Sequence, residues 1–144
     1  MHATVIRPDP RTLGWLNRAL NHEMSAVQHY MAQRVLARLW GDEALAERFG
    51  ADALEELDRA DHLMQALIEQ GVTPSAGVLR PPRVGVDAAT LLAANRQIEA
   101  DAVQLYREAA AHARRVKDQL HEALFTELLE AEMRHLIGIE ESGS

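Results

Sequence analysis

Four glutamates and one histidine offer the chain's most evident chemistry: Glu23, Glu56, Glu99 and Glu132, with His135 three residues after the last. Glu132-Met133-Arg134-His135 is an E-x-x-H pair, and on a helix its two ends leave the same face one turn apart. Counted at about 100° per residue, Glu23 falls within about 60° of Leu16, Leu20, Val27 and Tyr30. Glu56 shares an arc with Phe49, Ala53, Ala60 and Leu63, and Glu99 shares one with Leu92, Val103 and Tyr106. Glu132 and His135 lie with Leu124, Leu128 and Ile139. Each glutamate therefore interrupts the apolar stripe of its own segment. Carboxylates gathered in an interior lose hydration and repel one another, at a cost of several kcal/mol per ion, unless positive charge offsets them. Without cysteine, oxygen-rich ligation with an imidazole suits iron or manganese, and in some settings zinc. Metal binding is the expectation.

The segments that must position these groups are set off by turn residues. Asp9-Pro10 reads as an N-cap and first helical residue, and Gly41-Asp42 as a helix end followed by a new cap. Helices are expected over about 10–40, 43–70, 88–117 and 119–141, within one domain spanning 1–144. Residues 71–86 hold three of the five prolines and three of the eight glycines, which makes them a connection rather than an element. Short turns make each consecutive helix pair antiparallel, and the long crossover joins the two hairpins. The reading is all-α: a four-helix bundle of two antiparallel hairpins with one long crossover.

The two hairpins also resemble each other. One constant displacement carries Glu23-Met-Ser-Ala-Val-Gln-His-Tyr30 onto Glu99-Ala-Asp-Ala-Val-Gln-Leu-Tyr106, sharing E-x-x-A-V-Q-x-Y. The same displacement pairs Leu16 with Leu92, Asp42 with Asp118, Phe49 with Phe125 and Glu56 with Glu132. Two copies of one hairpin would pack about a pseudo-two-fold axis.

Composition narrows the field. The 144 residues carry 15 Lys plus Arg against 22 Asp plus Glu, a net charge of −7 that argues against a nucleic-acid partner. The start, MHATVIRPDP, lacks the apolar stretch of a signal peptide, and no run approaches the roughly 18 apolar residues of a membrane span. No membrane association and a cytoplasmic location are expected. Hydrophobic residues make up 47% but aromatics 4%, so the core is aliphatic and suits close-packed helices.

LNRALNHEMSAVQHY, the Leu-Trp-Gly at 39–41, EELDRAD at 55–61, IEADAVQLYREA and ELLEAEMRH together resemble bacterioferritin, within the ferritin-like superfamily. The resemblance runs over nearly the whole chain. It implies a di-iron centre that oxidises Fe(II) with O2 or peroxide, as a ferroxidase, and an oligomeric shell that stores ferric mineral. By position, Glu23 and Glu99 correspond to terminal ligands, Glu56 and Glu132 to bridging ones, and His135 to one of two histidines. Tyr30 corresponds to a tyrosine beside the centre that could donate an electron.

Three departures mark an atypical member. Arg59 stands where the family has its other histidine, and a guanidinium has no lone pair to offer a metal. It is expected to pair with Glu23 and Glu56 and replace the charge of one ion, leaving metal on Glu56, Glu99, Glu132 and His135; the alternatives are Arg59 turned to solvent or His62 entering in its place. Leu57 occupies the place of the haem-ligating methionine, with which Met24 and Met31 do not align, so haem is expected to be absent. The sequence stops just after the fourth helix, so no fifth helix is expected, and a dimer at least, with a cage open, is the expected assembly. Exposed Trp40 and Leu57 would form a partner surface.

The leading function is iron binding and storage at an asymmetric di-metal carboxylate centre. One alternative is a structural or ferroxidase-impaired subunit co-assembling with a competent homologue; another is a dimeric di-metal oxidase or peroxidase without storage. His2, His22, His29 and His112 are expected to be solvated or locally bonded, and His121 is considered for an accessory iron site. Arg80-Pro-Pro-Arg83 is expected to be an ordinary exposed loop.

Overall fold

The computed structural model describes residues 9–142; His2 and residues 143–144 lie outside them. Four helices follow in order: α1 Pro10–Leu39, α2 Glu43–Glu69, α3 Ala88–Arg115 and α4 Gln119–Ser142. Asp9 caps α1 ahead of proline, and Asp42 caps α2 by accepting from the Leu45 amide at 3.1 Å. Asp87 and Thr90 form a reciprocal capping box on α3. Asp118 caps α4, its Oδ1 accepting from the His121 amide at 3.1 Å. The two hairpins are α1–α2 and α3–α4, and α1 also packs along α3.

Both hairpin turns use one device. Gly41 has φ +80° and Lys117 has φ +60°, each ahead of a capping aspartate. Asp42 donates its amide to the Ala37 carbonyl at 3.0 Å, and Asp118 does the same to Ala113 at 2.8 Å. These are matching left-handed helix stops, one on glycine and one on lysine. The repeat thus extends to backbone conformation.

Arg80-Pro-Pro-Arg83 lies in an irregular, largely exposed stretch, but the crossover that contains it is tied to α1 through its backbone. Asn21, Ser25 and His29 stand one turn apart along α1, and each accepts a crossover amide: Val78 at 3.3 Å, Arg80 at 3.0 Å and Arg83 at 3.0 Å. The side chains of this segment are largely exposed, but its backbone is strapped along α1. Such bonding was hidden because a run of polar side chains does not reveal which backbone it will meet.

The core divides into two apolar clusters. Leu16, Leu20, Leu63, Leu67, Tyr106 and Phe125 belong to one; Tyr30, Ala37, Phe49, Ala53 and Leu91 belong to the other. Along each chain segment the polar residues fall between them: Glu23 between Leu20 and Ala26, Glu56 and Arg59 between Ala53 and Ala60. A charged layer is held between two greasy ends.

Candidate metal centre

All four helices contribute to that layer. Glu23, Glu56, Glu99 and Glu132 are each at most 1% exposed. Ligand atoms of Glu56, Glu99, Glu132 and His135 lie within 4.8 Å of one another. The His135 Nδ1 is 3.4 Å from Glu56 Oε1 and 3.4 Å from Glu99 Oε2. Its Nε2 lies 3.1 Å from Asp52 Oδ1. Glu23 stands outside this group, although it shares the buried layer.

Arg59 points inward. Its Nη1 is 3.0 Å from Glu56 Oε1 and 3.3 Å from Glu132 Oε1, while Nη2 is 3.8 Å from the exposed Glu55. The expected direct partner Glu23 is replaced by Glu132; Glu23 acts on the guanidinium only through its charge. The helix register explains this, because position 59 follows Glu56 by three residues and α4 brings Glu132 alongside. His62 is exposed and bonds the Asp58 carbonyl at 2.8 Å, so it does not enter the site.

The tyrosines are crossed between hairpins. Tyr30 of α1 donates to Glu99 Oε1 of α3 at 2.7 Å, and Tyr106 of α3 donates to Glu23 Oε1 of α1 at 2.6 Å. These are repeat-related residues making repeat-related bonds, as a pseudo-two-fold axis requires. Tyr106 was visible as half of the repeated tyrosine pair, yet its bond to Glu23 was not foreseen. Asp52 was missed altogether; its signal was a carboxylate one turn before Glu56 on the same helical face.

The electrostatics are those of a site with surplus negative charge. Burial, and then the charge of Glu56, hold the Glu23 carboxyl well above its usual range. Burial followed by Glu23 and Glu56 does the same to Glu132, despite Arg59 beside it. Glu56 is also raised, chiefly by burial. Glu99 goes the other way: burial opposes its ionisation, but the neighbouring Glu132 and His135 prevail and hold it low. Burial pulls His135 down, yet Asp52, Glu56 and Glu99 outweigh it and push the imidazole up to about 12. Arg59 is raised as well, Glu132 and Glu56 overcoming its desolvation.

The donor set fits a divalent cation. Glu56 and Glu132 each have both carboxylate oxygens buried without a hydrogen bond, as are Glu23 Oε2, Glu99 Oε2, His135 Nδ1 and Arg59 Nη1. Buried polar atoms are rarely left so, and here they converge on one spot. Beside them, a cavity of about 550 Å³ between α2 and α4 is lined by Arg48, Asp52, Glu55, Arg59, Arg134 and His135, among others. It gives the buried layer a polar mouth.

Three of the remaining histidines have local partners. His29 is buried, with Nδ1 accepting from the Arg83 amide and Nε2 placed 2.6 Å from Asn95 Oδ1. His112 lies 3.2 Å from Asp9, and His121 bonds its own cap Asp118 at 2.7 Å, so an accessory iron site at His121 finds no second carboxylate there among the described residues. No helix of the described residues is long and apolar enough to cross a membrane.

The family model described as a ferritin-like domain matches residues 14–141. A bacterioferritin of Brucella melitensis is 30% identical over 131 residues, covering 91% of this chain and 81% of that protein. A bacterioferritin of Rhodobacter capsulatus is 28% identical with the same coverage. A solved Rhodobacter capsulatus bacterioferritin, described with a metal-free dinuclear site and haem iron, superposes with TM-score 0.92 at 27% identity. That match covers 96% of this chain and 86% of the other.

Proposed function

On the premise that the chain belongs to the ferritin-like family and is related throughout most of its length to bacterioferritins, we propose that it binds Fe(II) and stores iron, at a centre with one complete metal site. Glu56, Glu99, Glu132 and His135 would hold the ion, and Arg59 takes the charge of a second. The observation that carries this reading is Arg59 Nη1 lying 3.0 Å and 3.3 Å from the two glutamates that would bridge a metal pair. Four carboxylates balance two divalent ions, and nearly balance one ion with a permanent guanidinium.

Iron held there would supply one electron per ion to O2 or peroxide. Two adjacent ions deliver a pair of electrons together; a single ion does not, so Arg59 disfavours rapid oxidation more than binding. Manganese and zinc suit the same donors. Tyr30 is the candidate electron donor: its phenol proton faces Glu99 Oε1, which can take the proton as the electron leaves. His135, charged in the free protein, must give up its Nδ1 proton for metal to bind. Haem is not expected, because Leu57 faces the α1–α2 pocket where a thioether would be needed, although Met31 lines the same pocket. A homo-oligomer acting in the cytoplasm is the accompanying reading.

Anaerobic Fe(II) titration of the metal-free chain, followed by oxygen, tests this. One ion per chain with slow oxidation, rising to two ions in Arg59→His, is the expected result. Two ions and rapid oxidation in the wild type would remove Arg59 as a block, and no binding would remove the centre.

The inward Arg59 also favours a second reading, a ferroxidase-impaired subunit that co-assembles with a competent homologue. Iron loading only in mixed particles would select it. A dimer that oxidises Fe(II) without retaining mineral would instead select an oxidase.

A further inference from the structure

We propose that Asp52 is the positioning residue of this centre, setting the proton on His135 so that Nδ1 is free for metal, and that its presence on one half alone makes the chain's site one-sided. The inference rests on the metal reading above. It deepens that reading by naming a residue outside the ligand set.

The imidazole of His135 is addressed from two sides. Asp52 Oδ1 lies 3.1 Å from Nε2, while Nδ1 points between Glu56 Oε1 and Glu99 Oε2 at 3.4 Å from each, without a hydrogen bond. A neutral imidazole has one N–H and one lone pair, and only the lone pair binds metal. A carboxylate that accepts from Nε2–H therefore keeps the lone pair on Nδ1 and holds the ring plane toward the glutamates. Asp52 is one helical turn before Glu56, so the α2 backbone fixes carboxylate and ligand together. It is nearly buried, at 9% exposure, and lines the mouth between α2 and α4.

The repeat supplies an internal comparison. The displacement that carries Glu56 to Glu132 carries Arg59 to His135, Asp52 to Leu128 and Glu55 to Ala131. Leu128 is buried in an apolar cluster. One half thus has an imidazole with a carboxylate behind it; the other has neither at the corresponding positions. An imidazole at 59 would find no carboxylate at 128 or 131 to accept its second proton, whereas a guanidinium requires no tautomer to be chosen. Loss of ligand and loss of anchor coincide.

Co(II) titration of the full chain, read by visible absorption, compares wild type with Asp52→Ala and Asp52→Asn. Imidazole 15N spectra of the Zn(II)-loaded proteins report the proton's place, and circular dichroism reports the fold. The Ala variant is expected to bind Co(II) roughly 10–100-fold more weakly with the helices intact. The Asn variant, whose amide oxygen still accepts from Nε2–H, is expected to bind between the two and keep the wild-type 15N pattern. Unchanged Co(II) affinity in Asp52→Ala would overturn the role of Asp52 while leaving the metal site standing. Failure of the wild type to bind Co(II) would overturn the metal reading itself, and this proposal with it.

Discussion

Arg59 solves at the level of one side chain a problem that the four glutamates create. Arg59 and His135 bring positive charge among these carboxylates, yet the layer stays short of it: Glu99 alone is held low, while Glu23, Glu56 and Glu132 are all held high. Removing the guanidinium should therefore harm the metal-free protein. Arg59→Leu is expected to lower unfolding free energy by about 3 kcal/mol in urea titration, since it strips a buried pair of its partner. A saturating divalent ion should recover much of the loss. Arg59→His should admit a second ion, but more weakly than the first, because Leu128 stands where Asp52 serves His135. Two equal sites in a calorimetric titration would contradict that asymmetry.

At the scale of elements, the strap and the turns carry separate expectations. His29 accepts the Arg83 amide on Nδ1, which requires a neutral ring. Burial, assisted by the nearby charge of Arg83, lowers its proton affinity below the usual 6.5, although Asn95 and Glu99 pull the other way. The folded value being the lower one, the stability His29 lends is complete above about pH 6.5 and is lost as pH falls through the folded value. Amide exchange at Arg83, measured relative to helix-core amides, should accelerate on acidification across that window. The α3–α4 turn offers a gain instead. Lys117 occupies a left-handed conformation that its counterpart Gly41 adopts without strain, so Lys117→Gly should raise stability by about 1 kcal/mol, seen as a higher melting temperature.

For the whole molecule, the α1–α2 face is the surface to examine. Val35, Leu39, Leu54 and Leu57 are exposed there, and a cavity of about 710 Å³ opens between Met31 and Leu57. If this face joins copies of the chain, Leu54→Arg with Leu57→Arg should shift sedimentation to the monomer while leaving helicity intact. A wild-type monomer would dismiss the oligomer outright.

Much of this architecture was legible beforehand, and the limits have a physical origin. Helical periodicity reports angles around one axis, which sufficed to place all four glutamates on inward stripes and to find the caps at Asp42 and Asp118. The repeat related the hairpins, and the long crossover ordered them. Periodicity says nothing about which helix a stripe will face. Arg59 was therefore assigned Glu23 in place of Glu132, the crossed tyrosine bonds were not foreseen, and Asp52 went unnoticed. The strap from Asn21, Ser25 and His29 to the crossover was invisible for a related reason: its donors are backbone amides, which every residue but proline possesses.

The inward guanidinium has a consequence for supply. A buried carboxylate layer neutralised by metal alone would leave the metal-free chain to bear the cost of desolvated, mutually repelling groups. Arg59 is made with the polypeptide and cannot be withdrawn, so part of the neutralisation arrives at synthesis. The metal-free chain is therefore expected to keep its helices under chelation, read by circular dichroism.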